Sequence, residues 1–169
     1  MASNVDVLIV FYNSSNFIGP LLHSLRAVSI PITAYFLDNN SSDGTAEKLA
    51  REIPNLPFPT FLFRARSNQG FARGINLLSR QGKGDYIFVL NPDTEVESGC
   101  LEKLVAKAES DPAIGISEAR QSPREHPKAV DPSTGETTWC SGAAALIRRE
   151  AFEQVGRFVE RRARMCGAV

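Results

Sequence analysis

Three polar clusters, each placed directly after an apolar run, hold the residue types from which chemistry could be built. Tyr12-Asn13 follows Val5–Phe11, Asp38 through Asp43 follows Ile32–Leu37, and Asn91-Pro92-Asp93 follows Asp85–Leu90. A carboxylate just past a buried strand is held on a rigid element. There Asp38 suits hydrogen bonding to a nucleobase or ribose, and Asp93 suits a divalent cation. Each also has a plainer reading: Asp38 as a turn former, Asp93 as an Asx turn after Pro92, and Asp43 as a helix cap. Asn68-Gln-Gly70, taken singly, is a loop leading into a helix.

The elements that must position these clusters are legible in the hydrophobic pattern. Val5–Phe11 is apolar and β-branched and ends in Asn13-Ser-Ser-Asn16, as a buried strand entering a loop does. Ile18, Leu21, Leu22, Leu25 and Val28 then recur at helical spacing, with Pro20 tolerated in the first turn. Ile32–Leu37 predicts a second strand, and Asp38–Gly44 a loop before a helix reaching about Ile53, capped by Asp43 or Thr45. A proline-rich turn from Pro54 to Pro59 precedes a third strand at Thr60–Arg64 and a helix at Phe71–Arg80. After Gly82 and Gly84, Asp85–Leu90 is apolar on both faces and predicts the central strand of a parallel sheet. A helix over 98–109 follows, then the polar stretch Ser117–Thr138, read as a flexible loop at the active or acceptor side. Trp139–Ile147 is ordered again, and Ala151–Val155 begins a last helix. The alternation predicts an α/β fold whose ligands gather beyond the carboxyl ends of its strands.

Composition bounds the function classes. The 169 residues, 43% of them apolar, fit one domain, with no repeat or linker to mark a second. Lys+Arg and Asp+Glu both number 19, so no overall field recruits nucleic acid, and any anionic ligand must be held locally. The N-terminus lacks a basic, apolar leader and no stretch approaches the roughly 18 apolar residues of a spanning helix; the expectation is a soluble, cytoplasmic protein. Cys100, Cys140 and Cys166 are odd in number and far apart, which predicts buried free thiols. The chain has neither a glycine-rich phosphate loop after the first strand nor a G-x-G-x-x-G fingerprint, which argues against nucleotidyltransferases and dinucleotide-binding oxidoreductases.

Taken in order, five segments form a more specific set: Val10-Phe-Tyr-Asn13, Leu37-Asp-Asn-Asn-Ser-Ser-Asp-Gly-Thr45, Asn68-Gln-Gly-Phe-Ala-Arg-Gly-Ile-Asn76, Leu90-Asn-Pro-Asp-Thr94 and Cys140-Ser-Gly-Ala-Ala-Ala-Leu-Ile-Arg-Arg149. From about Val5 to Phe158 the chain resembles the family-2 glycosyltransferases, nearest their rhamnosyltransferase-like branch. The resemblance implies a GT-A, Rossmann-like three-layer αβα fold with a mainly parallel central sheet. It implies that Tyr12 lies against the nucleotide base, that Asp38 hydrogen-bonds base or ribose, and that Asn13, Asn40, Asp43, Asn68, Gly70 and Asn91 belong to the same nucleotide side. Asp93 matches the last acid of the family's metal motif and would hold Mg²⁺ or Mn²⁺; Asn91 stands where many members carry a further Asp. Trp139, Gly142 and Ala143 match the acceptor-side segment, with Trp139 either stacking on a sugar ring or packing in the core.

The implied reaction is an inverting, in-line transfer from a nucleoside-diphosphate sugar to a saccharide or lipid-linked acceptor of cell-surface polysaccharide. dTDP-rhamnose is favoured by the branch, with UDP- and GDP-sugars as alternatives, and peripheral membrane association and a homo-oligomer are further expectations. The chain departs from the family after Gly156. Arg157-Phe-Val-Glu160 and Arg161-Arg-Ala-Arg164 replace the acidic stretch from which the family draws its general base, and Glu160 between arginines reads as a solvated residue. The expectation is therefore a single domain over 1–169, truncated on its acceptor and base side with an atypical tail at about 157–169, and with no catalytic base identified. Two outcomes stay open: a working transferase, or a catalytically silent nucleotide-sugar-binding fragment or pseudoenzyme.

Overall fold

Strand β1 (Val5–Phe11) is buried along its whole length, which requires neighbours on both edges and cover on both faces. A computed structural model, describing residues 3–123 and 127–160, supplies them. Strand β2 (Ile32–Asp38) and strand β4 (Tyr86–Leu90) pair parallel to β1 on its two sides, and β3 (Thr60–Arg64) extends the sheet beyond β2. On the far side β6 (Ala144–Arg148) runs antiparallel to β4, and β5 (Ile116–Glu118) forms the edge, giving the order β3-β2-β1-β4-β6-β5.

The side-chain alternation of β1 divides the core in two. Val5, Val7, Ile9 and Phe11 face one side, where helices α1 (Ile18–Leu25), α2 (Thr45–Glu52) and α4 (Cys100–Ser110) bring Ile18, Leu22, Leu49 and Leu101 onto the sheet. Leu8 and Val10 face the other, packed with Ile75 and Leu78 of α3 (Phe71–Ser79) and Phe152 of α5 (Arg149–Gln154). This is the three-layer αβα arrangement the sequence implied. Gly74 lets α3 lie directly on the sheet: a Cβ there would come within 2.7 Å of a Val10 methyl.

The first strands and helices occur where the periodicity places them. The second half of the sheet was less legible. Ser117 and Glu118, predicted as the start of a long loop, belong to edge strand β5, and an isolated bridge joins Val130 to Thr137. A strand as short as β5 has no periodicity of its own and is set by the ladder that β6 offers. Glu160 is exposed, as expected, but it has a partner. Asn76, buried on α3, donates to Glu160 Oε1 at 3.0 Å and to the Phe158 carbonyl at 2.8 Å, and accepts from the Phe158 amide at 3.1 Å. The Phe158 ring packs near those of Phe71 and Phe152, so Phe158 is docked, while Val159 is 73% exposed and Glu160 is exposed yet held by its bond from Asn76. Residues 161–169, including Cys166, lie outside the described residues; Cys100 and Cys140 are half-buried free thiols. No helix among the described residues is long and apolar enough to cross a membrane.

The amino-terminal end of the sheet is closed by one ion pair. Asp6, 1% exposed, receives Arg149 Nη2 and the Gly84 amide at 2.9 Å. Arg149 also donates through Nη1 to the Ser79 carbonyl at 3.0 Å and through Nε to that of Gly84, while its own amide donates to Asp85 O at 3.0 Å. Burial pushes the Asp6 pKa up, and the Gly84 amide and the guanidinium oppose it. Removing one partner strands a buried charge, so Arg149→Ala is expected to lower unfolding free energy by about 3–5 kcal/mol, read as a reduced urea midpoint at unchanged m-value.

Candidate functional site

At the opposite end, the parallel strands finish in loops whose side chains mostly hold one another. Tyr12 and Asn13 follow β1, with Tyr12 50% exposed and Asn13 at φ 48°, a left-handed conformation that Asn tolerates. The Asn13 amide donates to Ser41 Oγ at 3.0 Å, its side-chain oxygen accepts from the Ser42 amide at 2.9 Å, and the Ser14 amide donates to Thr45 Oγ1 at 2.9 Å. The loop after β1 is thus sewn onto the loop after β2. Asp43 completes the seam: one oxygen accepts from the Ser15 amide at 2.9 Å and the other from the Thr45 amide at 3.1 Å. Desolvation works against its ionised form, but hydrogen bonds from Thr45 and Ser15 win and lower its pKa to about 2. Asp43 therefore shapes the loop before α2 and is not its cap: Gly44 at φ 83° takes the cap position and Thr45 is the first helical residue, which corrects the expectation that Asp43 or Thr45 caps the helix.

Asp38 and Asn39 end β2 almost completely buried, at 4% and 2% exposure. Asp38 accepts a long hydrogen bond from the Ser41 amide, 3.4 Å, and its carbonyl accepts from Ala65 at 2.9 Å. Asn39 was not singled out in the sequence, where it is one more turn-type residue in Asp38–Gly44. In the fold its Nδ2 donates to Asn68 Oδ1 at 3.0 Å and its Oδ1 accepts from the Gln69 amide at 2.8 Å. Asn68 Oδ1 also accepts from the Gly70 amide at 2.8 Å, and Gly70 adopts φ 78°, ψ 169°, a region essentially reserved for glycine. Asn40 turns the chain at φ 69°. Tyr12, Asn13, Asp38, Asn40, Asp43, Asn68 and Gly70 are in this way gathered on the rim above β1, β2 and α3.

Asn91 and Asp93 lie at the same edge beyond β4. The Asn91 amide donates to Ala143 O at 2.8 Å and its carbonyl accepts from Thr94 Oγ1 at 2.6 Å, so the segment is fixed against the start of β6. Asp93 is exposed and opens, with Asn91, Thr94, Glu95 and Ala143, onto a cleft of about 1000 Å³. Arg120 and Gln121 line its other side, two residues the sequence gave no reason to choose. None of Tyr12, Asp38 or Asn68 lines this cleft, so the two groups of candidate residues flank different parts of one edge.

The cleft wall is pinned from behind. The Glu118 carboxylate pairs with Lys128, with both side chains buried, and accepts from the Ser141 amide at 2.7 Å; Ser141 Oγ in turn accepts from Gln121 at 2.7 Å. Desolvation opposes the charge on Glu118, and the bonds from Lys128 and Ser141 hold its pKa below the usual carboxylate value. Trp139 is 43% exposed, which removes the core reading, and Lys128 Nζ stands 5.5 Å from its ring centroid. Gly142 turns the chain at φ 76° just before Ala143.

The fold and this edge define a class, and comparison with known proteins gives the family. Residues 6–156 match the model of glycosyl transferase family 2, and the chain belongs to that family. It is 26% identical to the N-acetylglucosaminyl-diphospho-decaprenol L-rhamnosyltransferases of two Mycobacterium tuberculosis strains, in a match covering 95% of this chain. The chain spans 66% of the length of those relatives. Among solved structures it is similar to a mannosyltransferase from Pyrobaculum calidifontis in complex with GDP-Man and Mn²⁺, with TM-score 0.77, 20% identity, and 95% of this chain and 48% of that one covered. It is also similar to S. aureus TarS 1-349 in complex with UDP, with TM-score 0.74, 16% identity, and 93% and 50% covered. These likenesses establish the GT-A fold.

The depressed pKa of Asp43 sets a pH dependence. Its contribution to stability is complete above the ordinary carboxylate value of 3.8 and is lost as pH falls toward about 2. Wild type is expected to melt above Asp43→Asn at pH 5, with the difference closing between about pH 4 and 2 in paired thermal melts.

Proposed function

We propose that this chain forms the nucleotide-sugar-binding part of an inverting, metal-dependent glycosyltransferase, with a saccharide or lipid-linked acceptor. The observation that carries the reading is the shared strand edge, where Asp38 is held nearly buried beside the Asn68–Gly70 loop and Asp93 opens onto the cleft beyond the next strand. A nucleobase needs a rigid hydrogen-bonding partner and an exposed aromatic face; Asp38 and Tyr12 offer these, with Asn13, Asn40, Asn68 and Gly70 shaping the pocket and Asp43 holding its loop. The complexes of the structural relatives with GDP-Man and Mn²⁺ and with UDP support the same class of donor. The rhamnosyltransferase relatives favour a rhamnosyl donor, dTDP-rhamnose, over UDP- and GDP-sugars.

A divalent cation fits the donors at the β4 end. Among the described residues no trio of His, Cys, Asp or Glu forms a protein cage. Asp93 offers one hard carboxylate and Asn91 one amide oxygen, and Mg²⁺ or Mn²⁺ binds in such places through one or two carboxylates plus substrate phosphates. Bound there, the ion supplies Lewis-acid stabilisation of the charge that develops on the leaving diphosphate. Ala143 and Trp139, with Gly142 between them, stand on the acceptor side; the exposed Trp139 ring, braced by Lys128, suits stacking on a sugar. One displacement in line with the departing diphosphate inverts the anomeric centre.

A second reading is a nucleotide-sugar-binding unit with no base of its own. It is favoured by the engagement of Asp6 with Arg149, Glu118 with Lys128, and Glu160 with Asn76. Product analysis on the donor that binds separates the two, since transfer requires a base and binding does not.

Thermal-shift titration with dTDP, UDP and GDP, with and without Mn²⁺, tests the proposal; ligand at about 100 times its Kd stabilises a fold by roughly 2.7 kcal/mol. Asp93→Ala is expected to abolish the Mn²⁺-dependent part of the shift, and unchanged affinity in the presence of Mn²⁺ would sink the metal assignment. Asp38→Ala is expected to weaken nucleoside diphosphate while leaving the Mn²⁺ requirement intact; no loss in titration would make Asp38 a turn residue only.

A further inference from the structure

We infer that Asn39 is a positioning residue for nucleoside recognition, coupling the end of β2 to the loop that leads into α3. The inference rests on the nucleotide reading above. Asn39 is the residue after Asp38, and its backbone amide donates to the Phe11 carbonyl at 2.8 Å, so its main chain is fixed to the end of β1. Its side chain, 2% exposed, reaches across to the other loop. Nδ2 donates to Asn68 Oδ1 at 3.0 Å and lies 3.5 Å from the Gly70 carbonyl, and Oδ1 accepts from the Gln69 amide at 2.8 Å.

One buried amide therefore reads both the donor and the acceptor pattern of a three-residue loop that is otherwise exposed at Asn68 and Gly70. A loop of this kind has little apolar contact to fix it, and a buried, satisfied amide is what can hold it in one conformation. Because Asp38 and Asn39 are consecutive, the distance between the Asp38 carboxylate and the Asn68–Gly70 backbone is set by this residue. A ligand touching both sides pays no ordering entropy for the loop while Asn39 is intact. Asp93, beyond β4, shares no hydrogen bond with Asn39, so the effect is confined to the nucleoside end of the ligand.

The test is isothermal titration of the whole chain with whichever of dTDP, UDP and GDP it binds, and separately with inorganic pyrophosphate plus Mn²⁺. Asn39→Ala is expected to weaken the nucleoside diphosphate about tenfold, the equivalent of one 1.4 kcal/mol step, and to leave pyrophosphate binding unchanged. Asn68→Ala is expected to weaken it too, with the double variant no worse than Asn39→Ala alone, as coupled neighbours require. Should Asn39→Ala fail to fold, Asn39→Asp makes the same comparison, because it keeps an acceptor for the Gln69 amide and loses the donor to Asn68. Unchanged nucleoside affinity, equal losses for nucleoside diphosphate and pyrophosphate, or additive losses in the double variant each overturn the inference. Failure of the unaltered chain to bind any of the three nucleotides overturns the nucleotide reading itself, and this inference with it.

Discussion

Arg149 is the residue through which the two halves of the sheet share one base. Its guanidinium reaches Asp6 of the first strand and the carbonyls of Ser79 and Gly84, and its amide bonds to Asp85 at the start of the fourth strand. A largely buried arginine demands partners for several donors at once, and here they come from three separate stretches of chain, at Asp6, at Ser79 and at Gly84-Asp85. Next to it Arg148 donates to the carbonyls of Ile114 and Ala108 and lies over the Tyr86 ring, so the antiparallel strand is tied at the same end. With that end closed, the carboxyl ends of β1, β2 and β4 and the beginning of β6 are left as the open edge.

The two edges use polar residues in opposite ways. At the base, charges are buried, paired and spent on structure. At the open edge, Asn13, Ser14, Asn39, Asp43 and Thr45 are committed to loop-to-loop bonds, while Tyr12 faces outward, Asp93 opens onto the cleft and the nearly buried Asp38 keeps a carboxylate with little engagement. A site can be rigid and still present unsatisfied chemistry only if neighbouring groups absorb the backbone polarity of its loops. Asp43 illustrates the division, since its carboxylate has both oxygens engaged while Asp38, five residues earlier, keeps only one long bond to Ser41.

The cleft wall is assembled by a different device. Glu118 and Lys128, on either side of the cleft-wall segment, form a buried pair that also grips Ser141, and the wall formed by Arg120 and Gln121 hangs from it. The sequence marked this stretch as a polar, flexible loop at the active or acceptor side. Glu118, Lys128 and Ser141 are held together by a carboxylate that must be neutralised once buried, a requirement that no local pattern announces.

Taken alone, the sequence determined the strands and helices with strong periodicity, the parallel half of the sheet, and the clusters at Tyr12, Asp38, Asn68 and Asp93, because burial of a continuous apolar strand and the turn that ends it are local facts. It also carried the motif order by which the family is recognised. Tertiary structure alone decided that Asp6 meets Arg149, that Asn39 holds the Asn68–Gly70 loop, that Glu118 meets Lys128, and that Glu160 docks on Asn76. Those contacts join residues distant in the chain, and a polar side chain declares its partner only when the fold has brought the two together.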